Sequence, residues 1–336
     1  MNTKTSRRRI DSDLKRLIVI IAVVLIWAAV FVPSFFRGAN FSSMCFQFPE
    51  FGLFAMGMAM AMLCGGCDLS VVNIGNLSGI VTASFLIKRV TEDQSIGGGY
   101  IVIGIIISLA VGALCGLLNG VLIAKVGIPA ILATLGGQQL FGGIGIVITK
   151  GSTLHGLPES MLNFGNGSLG GIIPWPAVVF VIMLVIIALI IQKHRFGKQL
   201  LMMGSNSTAS KFSGLNNTGI TIKAYVISGI LGAVAGLIIL SRTNSANSDY
   251  GSAYVLQTML VAIMAGFNPN GGKGKITTLF LSIIILQFLS SGLNMLNVSS
   301  YLKQLVYGVL LLVIVITNSM NIKIRKPKVN KKLKEA

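Results

Sequence analysis

The stretch CGGCDLS at residues 64–70 places one carboxylate, Asp68, among glycines and between two apolar segments. Glycines permit a tight turn, and an aspartate after them can accept hydrogen bonds from the free N–H groups that open the next helix. Its negative charge also suits a helix N-terminus. Two interpretations of Asp68 stay open: a helix cap, or a residue that contacts a translocation route or a neighbouring subunit.

Other side chains that could do chemistry are sparse. The chain has nine acidic residues and two histidines, His155 and His194, and most of them fall in tails or loops. No apolar segment carries a metal-binding pair at H-x-x-x-H or E-x-x-H spacing, or Ser, His and Asp together. Cys64 and Cys67 form a C-x-x-C without a second ligand pair, which favours simple packing. We therefore expect no enzymatic activity, no metal and no cofactor.

One stretch is similar to a phosphate-binding loop but departs from it twice. In GFNPNGGKGK (266–275), Phe267 stands where the first glycine of G-x-x-x-x-G-K-[ST] belongs, and Gly274 stands in place of the hydroxyl residue. The apolar segments also hold almost none of the ionisable groups that ion-coupled carriers use, and Asp68, at the end of a span, is the best candidate. If the chain drives uphill transport, we expect a partner to supply the energy.

The composition explains where these few polar residues must lie. The chain is 53% hydrophobic and 11% charged with a mean hydropathy of +0.82, whereas soluble domains are about 25% charged. Continuous apolar runs near the ~20 residues of a membrane-spanning helix recur along the chain. We predict an all-α, polytopic membrane protein with about ten spans. They fall at 17–33, 49–66, 70–87, 99–118, 128–149, 173–191, 222–241, 254–267, 276–296 and 303–319.

Basic residues predict the orientation. Most of the 27 lysines and arginines fall in the two ends of the chain and in loops on one side of this topology. Such loops face the cytoplasm, so the net charge of +18 does not indicate nucleic acid. We predict a protein of the cytoplasmic membrane with both termini in the cytoplasm. Its basic tails are 1–16 and 321–336, and one permease domain, 17–320, contains a cytoplasmic loop at 192–221.

Small residues repeat every fourth position in several spans, which places them on one helix face and permits close packing. Gly112, Gly116 and Gly120 form one such row. The few polar residues in the spans are candidates for a translocation path, with interhelical hydrogen bonds as the alternative. These candidates are Asp68, Asn119, Gln138, Gln139, Gln287 and Asn294.

The central cytoplasmic loop contains a short capped helix. Ser205, Asn206 and Ser207 can cap it, and Gly214 can end it. The preceding LLMM (200–203) is apolar although it lies outside the predicted spans. Two interpretations stay open, a docking surface for a partner or a helix that rests on the bundle itself.

Five ordered stretches resemble sugar ABC transporter permeases of the ribose/xylose/autoinducer type. They are GGCDLS (65–70), NGVLIAKVGIPAILATLG (119–136), FGKQLLMMGSNSTASKFSGL (196–215), KAYVISGILGAVAGLI (223–238) and GLNMLNVSSYLKQLVYGVLLLVIV (292–315).

The resemblance implies a permease of about ten spans that works as a homo- or heterodimer. Two cytoplasmic ATPase domains would drive it, and an extracytoplasmic solute-binding protein would deliver a sugar or related small polar solute. The stretch 196–215 matches the family's ATPase-coupling loop. The matching residues are Gly204, Asn206, Ala209, Phe212, Ser213 and Gly214. An ion-coupled carrier and a passive channel remain as alternatives.

Overall fold

The computed structural model describes residues 12–92, 98–171 and 173–324. Within these ranges the chain is mostly helical, with four short strands. In chain order the elements are α1 (Ser12–Phe31), α2 (Gly38–Leu63), α3 (Val71–Glu92), α4 (Gly98–Val121), a π-helical turn (Leu122–Val126), α5 (Ala130–Thr149), β1 (Leu154–His155), α6 (Glu159–Asn166), β2 (Ser168–Leu169), β3 (Ile173–Pro174), α7 (Trp175–Gln192), α8 (Arg195–Ser205), α9 (Ser207–Phe212), α10 (Asn217–Thr243), β4 (Ser245–Ala246), α11 (Tyr254–Met264), α12 (Ile276–Met295) and α13 (Ser300–Ile324).

In the described part of the chain, nine helices are long and apolar enough to cross a membrane. They are α1 to α5, α7, α10, α12 and α13, and they confirm the all-α polytopic class. The remaining predicted span, 254–267, is the short helix α11, which has 11 residues. At 1.5 Å per residue α11 is ~16 Å long, about half the hydrocarbon core of a bilayer. The segment before it, 244–253, contains β4 but no helix.

Helix α2 begins earlier than the sequence predicts. The predicted span starts at Pro49, whereas α2 starts at Gly38 and continues through Pro49. A proline inside a helix removes one backbone donor. Phe48 and Phe51 flank it with buried aromatic rings, and Phe48 packs edge-on against Phe180 with ring centroids 5.0 Å apart. We attribute the unbroken helix to this packing.

The centre of the bundle consists of α2 and α10, which α3, α4, α7 and α11 surround. Every residue of α2 from Phe48 to Leu63 is buried. The outer helices instead expose aliphatic side chains, such as Val30 on α1 and Val147 on α5. This distribution suits a protein whose outer helices face lipid.

Rows of small residues allow the central helices to touch backbone to backbone. A Cβ atom at Gly112 would lie 2.5 Å from the carbonyl oxygen of Gly229, and one at Gly75 would lie 2.6 Å from that of Gly232. A Cβ at Gly116 would overlap the backbone of Tyr225. The predicted close packing of the row Gly112, Gly116 and Gly120 is therefore confirmed.

The two ends of the bundle differ. One end, here the α8 end, carries α8, α9 and the loop 265–275; the other, the α6 end, carries α6 and the paired strands β1 and β4. Helix α10 runs from the first end to the second. Of the predicted basic tails, residues 1–11 and 325–336 lie outside the described residues.

Candidate solute cleft

A polar cleft lies between α3, α5 and the non-helical segment 244–253. Its volume is about 270 Å³, close to the lower limit of ~300 Å³ for small-molecule sites. Amides, hydroxyls and glycines form most of its wall. The lining residues are Val72, Asn73, Asn76, Gln138, Gln139, Gly142, Gly143, Ile146, Ser248, Asp249, Tyr250, Ser252 and Val255.

The segment 244–253 turns out of α10 at Asn244, whose φ of 53° is left-handed. The side chain of Asn76 forms hydrogen bonds with the backbone in the middle of this segment. Its Nδ2 atom donates hydrogen bonds of 2.8 Å to the carbonyl oxygens of Ser248 and Tyr250. Backbone groups at membrane depth need partners inside the protein. Asn76 therefore supports an irregular backbone that lines the cleft.

Helix α5 forms the opposite wall. Ser248 Oγ donates to the carbonyl oxygen of Gly142 at 2.9 Å, which joins the segment to α5. A Cβ atom at position 142 would lie 2.8 Å from Asn73 Nδ2, so the glycine leaves room for that amide. Gln138 and Gln139, two of the predicted path residues, lie on this wall. Their role in a translocation path stays a prediction.

Asp249 is the acidic residue among the described lining residues. Asp249 is exposed, and its backbone N–H donates a hydrogen bond to Asn247 Oδ1 at 2.9 Å. The other polar groups of the wall are uncharged donors and acceptors. Such a wall can hydrogen-bond to hydroxyl groups in either direction, and its one carboxylate disfavours anionic solutes.

Asp68 lies apart from this cleft and is fully buried. Its Oδ1 atom accepts hydrogen bonds from the backbone N–H and the Oγ of Ser70, at 3.1 and 2.7 Å, and its Oδ2 atom accepts one from Ser228 Oγ at 2.7 Å. The residue thus ties the turn before α3 to α10. Burial raises the pKa of Asp68 above its ordinary value, and the hydrogen bonds from Ser228 and Ser70 oppose that rise.

Asn119 belongs to the same cluster. Its Nδ2 atom donates to Ser70 Oγ at 2.7 Å, and Thr134 on α5 donates to the carbonyl oxygen of Cys67 at 3.0 Å. Helices α4, α5 and α10 therefore all contact the turn 64–70. The structure brings Asp68 and Asn119 together in a buried hydrogen-bonded cluster.

The two predicted path residues on α12 are separate from both sites. Gln287 is buried, with its Nε2 atom 3.5 Å from Gln47 Oε1. Asn294 is exposed and its Oδ1 atom accepts a hydrogen bond from Lys303 Nζ. Neither residue lines the cleft.

The predicted coupling loop folds into α8 and α9. Leu200 and Met203 are buried against the bundle, whereas Met202 is half exposed and Phe212 is 89% exposed. The LLMM stretch therefore supports both interpretations in part, since Leu200 and Met203 rest on the bundle whereas Met202 is exposed. Asn206 accepts a hydrogen bond from the N–H of Ala209 at 2.9 Å, which confirms the predicted capped helix.

The exposed residues Ser213 and Gly214 follow helix α9, and Gly214 has a φ of 79°. Gly204, near the end of α8, is in close backbone contact with Leu63 and Gly272. Gly272 in turn donates its N–H to the carbonyl oxygen of Leu63 at 3.1 Å. The end of α8 therefore packs directly onto the last residue of α2.

Sequence reasoning missed most of the cleft. Asn73 and Asn76 occupy one face of α3 at i, i+3 spacing, which was an available signal. The contacts of Asn76 with Ser248 and Tyr250 join positions more than 170 residues apart in the sequence. No local pattern records such a contact, and segment 244–253 reads as an ordinary loop.

A polar cleft beside a short helix and an irregular segment, within a bundle of long apolar helices, is typical of membrane transporters. The molecule is therefore a multi-pass membrane transport protein. Residues 40–315 match the family described as branched-chain amino acid transport system / permease component, and the chain belongs to this family.

Relatives extend over almost the whole chain. The ribose import permease protein RbsC of Bacillus subtilis is 31% identical, and the match covers 94% of this chain and 96% of the relative. The L-arabinose transport system permease protein AraH of Escherichia coli is 31% identical, and the match covers 89% of this chain and 88% of the relative. The autoinducer 2 import system permease protein LsrD of Klebsiella pneumoniae is 30% identical, and the match covers 81% of this chain and 80% of the relative. These relatives confirm the resemblance to sugar ABC permeases. No solved structure matches the chain.

Proposed function

We propose that this protein is the permease subunit of an ATP-driven ABC importer that moves a sugar or related small polar solute by alternating access. The observation that carries the proposal is the polar cleft, whose walls belong to three separate parts of the chain. Relatives that import ribose, L-arabinose or autoinducer 2 support a solute of this class. A neutral solute rich in hydroxyl groups suits a wall of amides, hydroxyls and one carboxylate.

The α8 end supports a role for a separate ATPase. Phe212 projects from α9 with 89% of its side chain exposed, and an exposed aromatic side chain outside the spans is typical of a docking anchor. Nearby positions of the loop are also exposed, namely Asn206, Ala209, Ser213 and Gly214. ATP hydrolysis in a partner would move α8 and α9 as one unit against α2 through Gly204.

A second permease subunit and an extracytoplasmic solute-binding protein complete the proposed assembly, with both termini of this chain in the cytoplasm. The path would run past Gln138 and Gln139. Asp68 and Asn119 would shape the α2–α3 turn at its inner end. Gln287 and Asn294 would stabilise α12 rather than contact solute.

The first experiment is gentle solubilisation of the tagged chain and identification of the proteins that remain bound. We expect an ATPase to co-purify. Phe212→Ala should release it, whereas Tyr301→Ala should not, because Tyr301 is a similarly exposed aromatic residue, 85%, at the α6 end. Deletion of the whole loop is a poorer test, since it would also remove the buried residues Leu200 and Met203.

Solute uptake into vesicles distinguishes an ABC importer from a passive channel and an ion-coupled carrier. Vesicles that contain the co-purified complex should take up solute only with ATP and the solute-binding protein. Uptake by the chain alone without ATP would contradict the ABC reading and favour a channel. Uptake by the chain alone that follows an ion gradient would favour a carrier, and Asp249 and Asp68 would then be the first acids to replace.

A further inference from the structure

Glu50 is a buried carboxylate at the α6 end that the sequence analysis did not single out. It lies on α2 and is only 2% exposed. The Nε atom of Arg242 lies 2.7 Å from Glu50 Oε1, and the hydroxyl of Tyr254 donates to Glu50 Oε2 at 3.0 Å. A carboxylate in such a position needs both of these partners to compensate for its burial.

The positions of the two partners in the chain are informative. Arg242 is the penultimate residue of α10, and Tyr254 is the first residue of α11. Between them lies the segment that includes residues 244–253, which forms one wall of the cleft. A single carboxylate on α2 therefore holds a residue of the last turn of α10, before this segment, and the first residue of α11, after it.

Additional contacts strengthen each attachment. Arg242 also donates from Nη1 to the carbonyl oxygen of Phe46, one turn before Glu50, at 3.2 Å. The ring of Tyr254 packs against Phe51 and Phe54 of α2, with centroid distances of 6.3 and 6.2 Å. The ring contacts place the tyrosine, so its hydroxyl can be removed without loss of this packing.

We infer that Glu50 is a positioning residue for the solute cleft, because it fixes both ends of the segment 244–253 to α2. The inference depends on the proposed function only for the identity of what the cleft binds. Besides the attachments at its ends, the segment is held by Asn76, by the bond from Ser248 to Gly142 and by the pairing of β4 with β1. Loss of an end attachment should loosen Ser248 to Ser252 while the rest of the bundle stays ordered.

The test compares Tyr254→Phe with Tyr225→Phe. Tyr225 is a fully buried tyrosine of α10 whose hydroxyl has no hydrogen-bond partner among the described residues. We expect Tyr254→Phe to increase amide hydrogen exchange about tenfold in 244–253 alone, the change that loss of a hydrogen bond to a charged group produces. Tyr225→Phe should leave exchange in this segment unchanged. Equal protection of 244–253 in the wild-type protein and Tyr254→Phe would overturn the inference.

Transport gives the second readout. In vesicles with the ATP-driven complex, Tyr254→Phe should raise the KM for solute with an unchanged kcat, and Glu50→Gln should raise it further. An unchanged KM in both variants would overturn the inference but leave the proposed function intact. Absence of ATP-dependent uptake by the wild-type complex would instead refute the proposed function. The exchange experiment would still decide whether Glu50 fixes the segment.

Discussion

Gly142 sets the width of the cleft beside Asn73. An alanine Cβ at this position would lie 2.8 Å from Asn73 Nδ2, so the amide must move into the space that a solute occupies. We expect Gly142→Ala to raise the solute KM about tenfold, which corresponds to ~1.4 kcal/mol. Uptake measured over a range of solute concentrations checks this.

A control variant exists in the same helix. Gly136 also lies on α5, and a Cβ atom there would meet no atom within 4 Å. Gly136→Ala should therefore leave the KM unchanged. If both variants transport with the wild-type KM, the cleft is not where the solute binds.

Asp68 should act on stability rather than on solute binding. Asp68→Ala would leave the hydroxyls of Ser70 and Ser228 without their carboxylate acceptor in a buried site, at a cost of ~1–3 kcal/mol for each unsatisfied group. Asp68→Asn retains one oxygen acceptor and should lose less. We expect the midpoint of thermal unfolding in detergent to be highest for the wild type, lower for Asp68→Asn and lowest for Asp68→Ala. A raised KM without a lower midpoint would indicate a path residue instead.

At the scale of helices, sequence reasoning succeeded where the cause is local. Hydropathy found the long helices, and the cap at Asn206 and the glycine rows follow from short-range patterns. Sequence reasoning did not identify segment 244–253 and the start of α11 as a wall of the solute cleft. Their positions depend on Asn76, Gly142 and Glu50, which are distant in sequence. Sequence also could not show that Gln138 and Gln139 share a cleft while Gln287 and Asn294 do not.

The crossing of α4 and α10 offers a prediction about packing. A Cβ atom at Gly116 would overlap the backbone of Tyr225, which cannot move without shifting α10. Overpacking of this kind costs ~1–3 kcal/mol, more than the ~1 kcal/mol that alanine gains over glycine in a helix interior. We expect Gly116→Ala to lower the thermal midpoint and the yield of folded protein.

Gly99 gives the matched comparison on the same helix. A Cβ atom at Gly99 would have no neighbour within 4 Å, so Gly99→Ala should not lower the wild-type midpoint. Equal midpoints for both alanine variants would mean that α4 and α10 do not meet as closely as the structure has them.

At the scale of the whole molecule, the fold brings together basic residues from distant parts of the sequence. Lys193 and Lys198 flank or belong to α8, Lys211 belongs to α9, and Lys273 and Lys275 lie in the adjoining loop of the α8 end. Basic residues accumulate at the cytoplasmic ends of spans. Their collection at one end of the bundle supports the proposal that the α8 end faces the cytoplasm.

Single cysteines at the two exposed aromatic positions test this orientation. In a background without the four native cysteines, a membrane-impermeant maleimide added to intact cells should label Tyr301→Cys and leave Phe212→Cys unlabelled. Inside-out vesicles should show the reverse, because the two residues lie at opposite ends of the bundle. Labelling of both variants after detergent permeabilisation verifies that each thiol is reactive. Labelling of Phe212→Cys in intact cells would place α8 and α9 outside the cell, where no ATPase could drive them.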